Sequence, residues 1–304
     1  MFHAGLVWKY RTNRPLTTDE RALQLRQAQR LHVDPIDQSS VIRLDSACMD
    51  VLDKYFMDRG WLSLIALLVT CIMAPLAYTV AGETVDGLAS GGSRLDATLG
   101  TAFLCLIVLP VAACVVWMVT LDAFRLTHYP IRLDRRQRML HAFRQDKSIL
   151  SVPWDEVFFT LARENSRPGP DLWEIQGHVL ESDGTTVRDT FAFCDVNDQD
   201  ILRRHWEFLR RYMEDGPQDL VARVKMYAAV DQRKETWWEG FMRIAADEIT
   251  MAPLAAIVFA PFTVLQASAR WLAMRSCTIP RWPDHIEAAC RVEPDDLHGS
   301  RRAA

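Results

Sequence analysis

The chain has 304 residues, a formal net charge of −4 and seven cysteines, and its apolar residues fall in blocks between charged stretches. That charge excludes a molecule that binds polyanions through its overall field. Cys48, Cys71, Cys105, Cys114, Cys194, Cys277 and Cys290 form no CxxC pair, which argues against a disulfide scaffold or a paired-cysteine zinc site. A reduced, cytosolic setting is expected for the soluble parts.

The opening MFHAGLVWKYRTNRP lacks an apolar core long enough for a cleavable signal. In TTDERALQLRQAQRLHV, Thr17 and Glu20 have the spacing of a capping box and predict a helix. SACMDVLDKYFMDRG, with Met49, Leu52 and Phe56 on one face, predicts a second helix that runs into the first apolar run. Residues 1–60 are therefore read as N-terminal cytoplasmic helices.

Trp61 to Val80 is a run of twenty residues without a charge. As a helix it would be about 30 Å long, the thickness of a bilayer's hydrocarbon core. Ala97 to Leu121 is a second uncharged run. The Gly-rich, acidic AGETVDGLASGGSRLD lies between them, whereas Lys54, Arg59, Arg125, Arg132, Arg135, Arg136 and Arg138 lie on the outer flanks. The positive-inside rule predicts a transmembrane hairpin over 61–121 (spans 61–80 and 97–121), with both flanks in the cytoplasm.

Beyond the hairpin the texture becomes that of strands. PIRLDRRQRMLHAFR reads as strand, turn, strand, and SILSVPWDEVFFTLA as a strand bent at Pro153. RENSRPGPD is a loop, and LWEIQGHVLESDG and TTVRDTFAF are strands joined through Ser182-Asp183-Gly184. DQDILRRHWEFLRRYMED is an amphipathic helix, capped by Asp195 or Asn197 and ended by Gly216-Pro217. Several antiparallel strands closed by one helix predict, for 122–216, a small β-sandwich of pleckstrin-homology-like type. The fold class expected for the chain is thus membrane α+β: a transmembrane helical hairpin, that sandwich, and a C-terminal helical membrane-associated segment.

Residues 217–304 are read as helical, with PQDLVARVKMYAAV and RKETWWEGFMRIAADE as helices and a cytoplasmic tail. Trp237 and Trp238 beside Arg233, Lys234 and Arg243 suit either a helix at the headgroup layer or a core-facing aromatic cluster. The uncharged run 249–269 is long enough to span, but it has an acidic entry, a basic exit, and Pro253 and Pro261 eight residues apart. Those features favour a segment bent at Ala252-Pro253 and Ala260-Pro261, re-entrant or interfacial, over a third span.

No catalytic, cofactor or metal motif is present: no GxSxG, HExxH, phosphate loop or GxGxxG. His128, His141, His178 and His205 lack a second ligand at helical spacing and are expected to be structural. The chain is therefore not expected to be an enzyme or to carry a cofactor. The candidate lipid or partner contacts are Arg132, Arg135, Arg136, Arg138, Arg144 and Lys147, with Trp237 and Trp238. The six basic residues lie just after a span, where anionic lipid attracts each by about 1 kcal/mol; the other reading is a topology signal on a solvated strand face. Nucleic acid is not an expected partner, since residues 122–248 hold 19 basic against 23 acidic side chains.

The hairpin, PIRLDRRQRMLHAFR, VPWDEV, HWEFLRRYME and ARWLAMRSCTIPRWPDHIEAAC together resemble a family of bacterial inner-membrane proteins of unknown function, often found beside type VI secretion genes. Ile279-Pro280-Arg281-Trp282-Pro283 is the most distinctive part. The resemblance implies a multi-pass inner-membrane protein with a cytoplasmic soluble domain. It further implies an immunity protein that binds and neutralises a toxin, the alternatives being an effector-loading accessory or a lipid-binding membrane scaffold. It supplies no catalytic residue.

Overall fold

The computed structural model describes residues 10–91, 93–164, 172–224, 226–251, 253–291 and 301–302, and the chain divides into two compact units. The body is drawn from residues up to Asp58, Leu126–Lys234 and the residues from Ile279 onward; the helical unit comprises Arg59–Arg125 and Glu235–Thr278. Most of the RENSRPGPD loop, the first nine residues and the end of the tail lie outside the described residues.

The body is built on two antiparallel sheets. The larger has the order β11 (Arg301–Arg302), β3 (Val41–Leu44), β4 (Cys48–Val51), β5 (Ile131–Asp134), β6 (Met139–Phe143), β7 (Ile149–Pro153). The smaller has the order β1 (Arg14–Pro15), β10 (Thr186–Val196), β9 (Leu172–Leu180), β8 (Val157–Glu164), β2 (Gln24–Leu25). Successive strand residues face opposite sides. Met49, Val51, Ile131, Leu133, Leu140 and Val152 of the larger sheet thereby share one buried apolar cluster with Phe159, Ile175 and Phe193 of the smaller. Helix α5 (Gln199–Glu214) adds Leu202, Trp206, Leu209 and Met213 to that cluster. Trp154 stacks on Trp206 with ring centroids 5.6 Å apart and donates its indole N–H to Glu214 at 2.9 Å.

Several expectations need correction. The capping box forms, with Glu20 N–H on Thr17 Oγ1 at 3.2 Å and Thr17 N–H on Glu20 Oε2 at 2.8 Å, but helix α1 covers only Thr18–Ala22. The chain then becomes β2, because Gln24 and Leu25 pair with Thr160 and Phe159 at an open sheet edge. The second expected helix is strand β4 followed by a 3-10 turn at Lys54–Phe56. Its residues read equally well at period two, and pairing with both β3 and β5 decides the outcome. Among its described residues PQDLVARVKMYAAV holds no α-helix but a 3-10 turn at Val221–Arg223, and Ala228 N–H donates to Val41 O at 2.9 Å. Pro153 does not bend one strand: it ends β7, a 3-10 turn follows at Trp154–Glu156, and β8 joins the other sheet. The cap of α5 is Asp198, which accepts from Asp200 N–H at 2.8 Å. At its other end Gly216 (φ +96°) occupies the left-handed conformation that stops the helix.

The helical unit holds α2 (Trp61–Ala89), α3 (Arg94–Phe103), α4 (Leu109–Asp122), α6 (Trp237–Met251) and α7 (Pro253–Ser276). Among the described residues, three stretches are helical, long and apolar enough to cross a membrane: Lys54–Ala89, Arg94–Asp122 and Ile257–Ser276. Helix α2 continues well past Val80, so the connection expected at 81–96 is largely helical and the turn begins at Ser90. Between α3 and α4 a π turn covers Leu104–Val108. It lies just before Pro110, which cannot donate a helical hydrogen bond. Helix α7 passes through Pro261 intact, so the bend expected at Ala260-Pro261 does not form, and the one expected at Ala252-Pro253 falls on residue 252, outside the described residues.

Polar contacts place four helix ends together at one end of this unit. Arg59 donates to Asp122 O at 3.0 Å, and Asp122 Oδ2 accepts from Ser63 N–H at 2.9 Å, joining the start of α2 to the end of α4. Phe124 N–H donates to Ser276 Oγ at 3.1 Å, and Thr278 N–H to Arg125 O at 2.8 Å, adding the end of α7. Buried Arg270 binds Glu235 at 2.6 Å and Trp237 donates to Ser268 Oγ at 3.1 Å, which makes α6 and α7 an antiparallel pair. Gly60 (φ +92°) admits this closure, since a Cβ there would lie 2.4 Å from Arg270 Cα.

Candidate functional site

The alternation that buries one face of the larger sheet turns Cys48, Asp50, Arg132, Asp134 and His141 to the other. Strand register lines up Arg43 with Asp50, Asp50 with Arg132, Arg132 with His141 and His141 with Ser151, a polar ladder across five strands. Arg132 binds both Asp50 oxygens, at 2.6 and 2.7 Å, and His141 Nδ1 meets Ser151 Oγ at 2.8 Å. Arg43 binds Asp45 at 2.6 Å. Arg43, Asp50, Arg132, Asp134 and His141 are all buried, although they lie on the face turned away from the apolar core.

The C-terminal segment is what covers them. Arg43 donates to Cys290 O at 2.7 Å and to Glu287 at 3.1 Å, while Arg132 donates to the other Glu287 oxygen at 2.8 Å. Glu287 and Cys290 belong to α8 (Asp284–Ala289) and its C-cap. Trp282 packs on Phe143 with centroids 4.6 Å apart and takes the Arg132 guanidinium over its ring at 4.6 Å. A disulfide joins Cys48 to Cys290, where a reduced setting without a disulfide scaffold is expected from the sequence; their separation of 242 residues leaves no local spacing signal. A cavity of about 240 Å³ opens beside this cover, lined among others by Asp50, His128, Arg132, Asp231, Trp282 and Glu287.

Electrostatics follow from this burial. His141 is pushed down to about 4, first by desolvation and then by Arg132 and His285, against a smaller opposing pull from Asp50. His205, whose Nδ1 faces Ile36 O at 3.1 Å, is pushed down to about 4 by burial. His178 lies between Thr190 Oγ1 at 2.8 Å and Glu20 at 3.3 Å. His128 Nδ1 meets Thr127 Oγ1 at 3.0 Å. Each of these four histidines thus has a polar neighbour within the body.

The basic residues singled out in the sequence do not form one cluster. Arg132 is inside the ladder. Arg135 is half-buried, with its N–H on Ala47 O at 2.9 Å, and exposed Arg136 donates to Arg291 O at 3.0 Å. Arg138 bridges Asp155 at 2.6 Å and Glu214 at 3.0 Å, Arg144 pairs with Asp189, and Lys147 is exposed at a turn. In the helical unit Trp237, Trp238 and Phe241 stack along α6, with Trp237 half-buried and Trp238 60% exposed. The ladder acids Asp50 and Glu287 carried no recognisable motif, and the only signal near them was the unusual Ile279–Pro283 stretch.

The fold and site define an α+β protein in which a two-sheet body and a unit of long apolar helices alternate along one chain. A model of a family of unknown function, DUF6708, matches residues 107–294, a stretch that contains β5 to β10, α5 to α8, Trp282, Glu287 and Cys290. The chain belongs to that family. No curated protein and no solved structure matches it.

Proposed function

We propose that the protein is a bacterial inner-membrane immunity protein, an anchored recognition module that binds and neutralises a toxin delivered by type VI secretion. The observation that carries the reading is the insertion of the first apolar hairpin between β4 and β5, adjacent strands of one sheet. The anchor is therefore inserted into the chain of the body, joined to β4 and β5 by short connections. Strands β4 to β7 in one sheet, β8 to β10 in the other and α5 after them support a pleckstrin-homology-like reading of the body.

The arrangement of helix ends supports a membrane topology. Helices α2 and α4 cross as a hairpin, and basic Arg59 and Arg125 at their shared end favour the cytoplasmic side. Helix α6, with fifteen residues, is about 22 Å long, short of the roughly 30 Å hydrocarbon core. Its pairing with α7 supports a re-entrant hairpin that enters and leaves on that same side. Anionic lipid at the cytoplasmic surface is the second proposed partner, with exposed Trp238 of the helical unit as its candidate contact.

Deleting the gene from a toxin-producing strain tests the reading. Killing of the deletion strain by its siblings, rescued by the full chain, is the expected result. Full survival beside toxin-secreting kin overturns it, and lost effector export without self-killing assigns the loading role instead.

A further inference from the structure

We propose that Cys48 and Cys290 form a reversible redox couple that bolts the C-terminal segment onto the outer face of the larger sheet, with Asp134 accepting the thiol proton as the bond forms. The inference does not depend on the identity of the toxin or on the immunity role.

Geometry carries the argument. Cys48 and Asp134 are directly opposed across β4 and β5, so both side chains stand on the same face. Cys290, at the C-cap of α8, comes down over them, and the two sulfurs and a carboxylate oxygen lie within 4.8 Å of one another, all in buried residues. Asp134 Oδ1 accepts from Gln137 N–H at 2.9 Å, whereas its buried Oδ2 has no hydrogen-bond partner. A buried carboxylate oxygen without a donor is costly. The disulfide offers it no proton, whereas reduction would supply S–H donors within this cluster. The site is therefore completed in the reduced state and left one donor short in the oxidised one. Burial raises the Asp134 pKa against the opposing pull of the Gln137 and Arg136 N–H groups and the Arg132 and Arg136 charges, which suits a proton acceptor.

The remaining anchors explain reversibility. Arg43 on Cys290 O and Glu287, Arg132 on Glu287, and Trp282 on Phe143 hold the segment without the sulfur bond. Reduction thus leaves the thiols adjacent and ready to close again. With hydrogen peroxide as oxidant, the Cys48 thiol gives its proton to Asp134 and the thiolate attacks a peroxide oxygen, breaking O–O. This forms a sulfenic acid and hydroxide, which takes up that proton and leaves as water. The Cys290 sulfur then displaces the sulfenic oxygen as a second water, closing S–S. An external dithiol reverses the bond by two exchanges, becoming a disulfide itself while the two protein sulfurs regain protons.

Differential alkylation of the full chain in membrane vesicles, read cysteine by cysteine by mass spectrometry, tests this. After dithiothreitol without denaturant, Cys48 and Cys290 should become labelled together. After peroxide they should be protected together, and a second reduction should reverse this. Asp134→Asn keeps an oxygen for Gln137 N–H and should reach the same oxidised end point at least about tenfold more slowly. Cys290→Ser should leave Cys48 labelled throughout. The proposal is overturned if the two cysteines respond independently, if the bond yields only to denaturant, or if Asp134→Asn oxidises at the wild-type rate. It is also overturned if the reduced protein holds one zinc per chain that Cys290→Ser loses, which would assign the three donors to a metal.

Discussion

Removing the Arg132 side chain should cost far more than its position on a strand face suggests. Arg132 is 1% exposed, binds both oxygens of Asp50, reaches Glu287 and lies under Trp282. Arg132→Met leaves the 5% exposed Asp50 carboxylate buried and unpaired in the middle of the sheet. Orphaning one member of a buried ion pair typically costs about 3–5 kcal/mol. Glu287 adds little, because its side chain is half exposed and water replaces the lost partner. The expected change is thus between about a hundredfold and a few thousandfold in the opening equilibrium of the body. Hydrogen exchange at the β4 and β5 amides in the detergent-solubilised full chain reads that equilibrium. The double variant Asp50→Leu/Arg132→Met orphans neither charge and should recover most of the loss. Protection within threefold of wild type for Arg132→Met, or a double variant that loses the sum of the two single losses, would refute the reasoning.

Three further outcomes follow from the same geometry. His141 and His205, both held down to about 4, stay neutral in the folded body while their unfolded forms take protons below about 6.5; stability is complete above that pH and falls toward pH 4, by up to about 3 kcal/mol for each. Urea midpoints that do not change between pH 7.5 and pH 5 would count against this. Trp282→Ala removes the Phe143 contact and the Arg132 stacking and should speed proteolysis within 279–291, at a cost of about 2 kcal/mol, while the β8–β9 amides keep their protection. Gly60→Ala combines a left-handed backbone with a Cβ 2.4 Å from Arg270 Cα, so it should loosen the helical unit by more than about 2 kcal/mol, seen as changed Trp237 fluorescence; an unchanged spectrum would contradict it.

Sequence by itself determined the features that local periodicity and solvent preference encode. Two uncharged runs long enough to match a bilayer's hydrocarbon core can hardly be other than long apolar helices, and α2 and α4 follow from them. Alternation over Ile131–Leu133 and Thr186–Phe193, the Ser182–Gly184 turn and the apolar stripe of α5 were legible because each burial pattern repeats within its own segment. What only the tertiary structure decided are the places where a distant partner chooses between two local readings. Met49, Leu52 and Phe56 satisfy a helix as well as Met49 and Val51 satisfy a strand, and the edges of β3 and β5 select the strand. Arg132 and Arg138 look alike in RLDRRQR, yet one lies under Trp282 and Glu287 while the other bridges half-exposed acids. Cys48 and Cys290 are brought together across 242 residues only because α8 returns to the outer face of the sheet. Burial on that face comes from a segment far away in the chain, and no local pattern can report it.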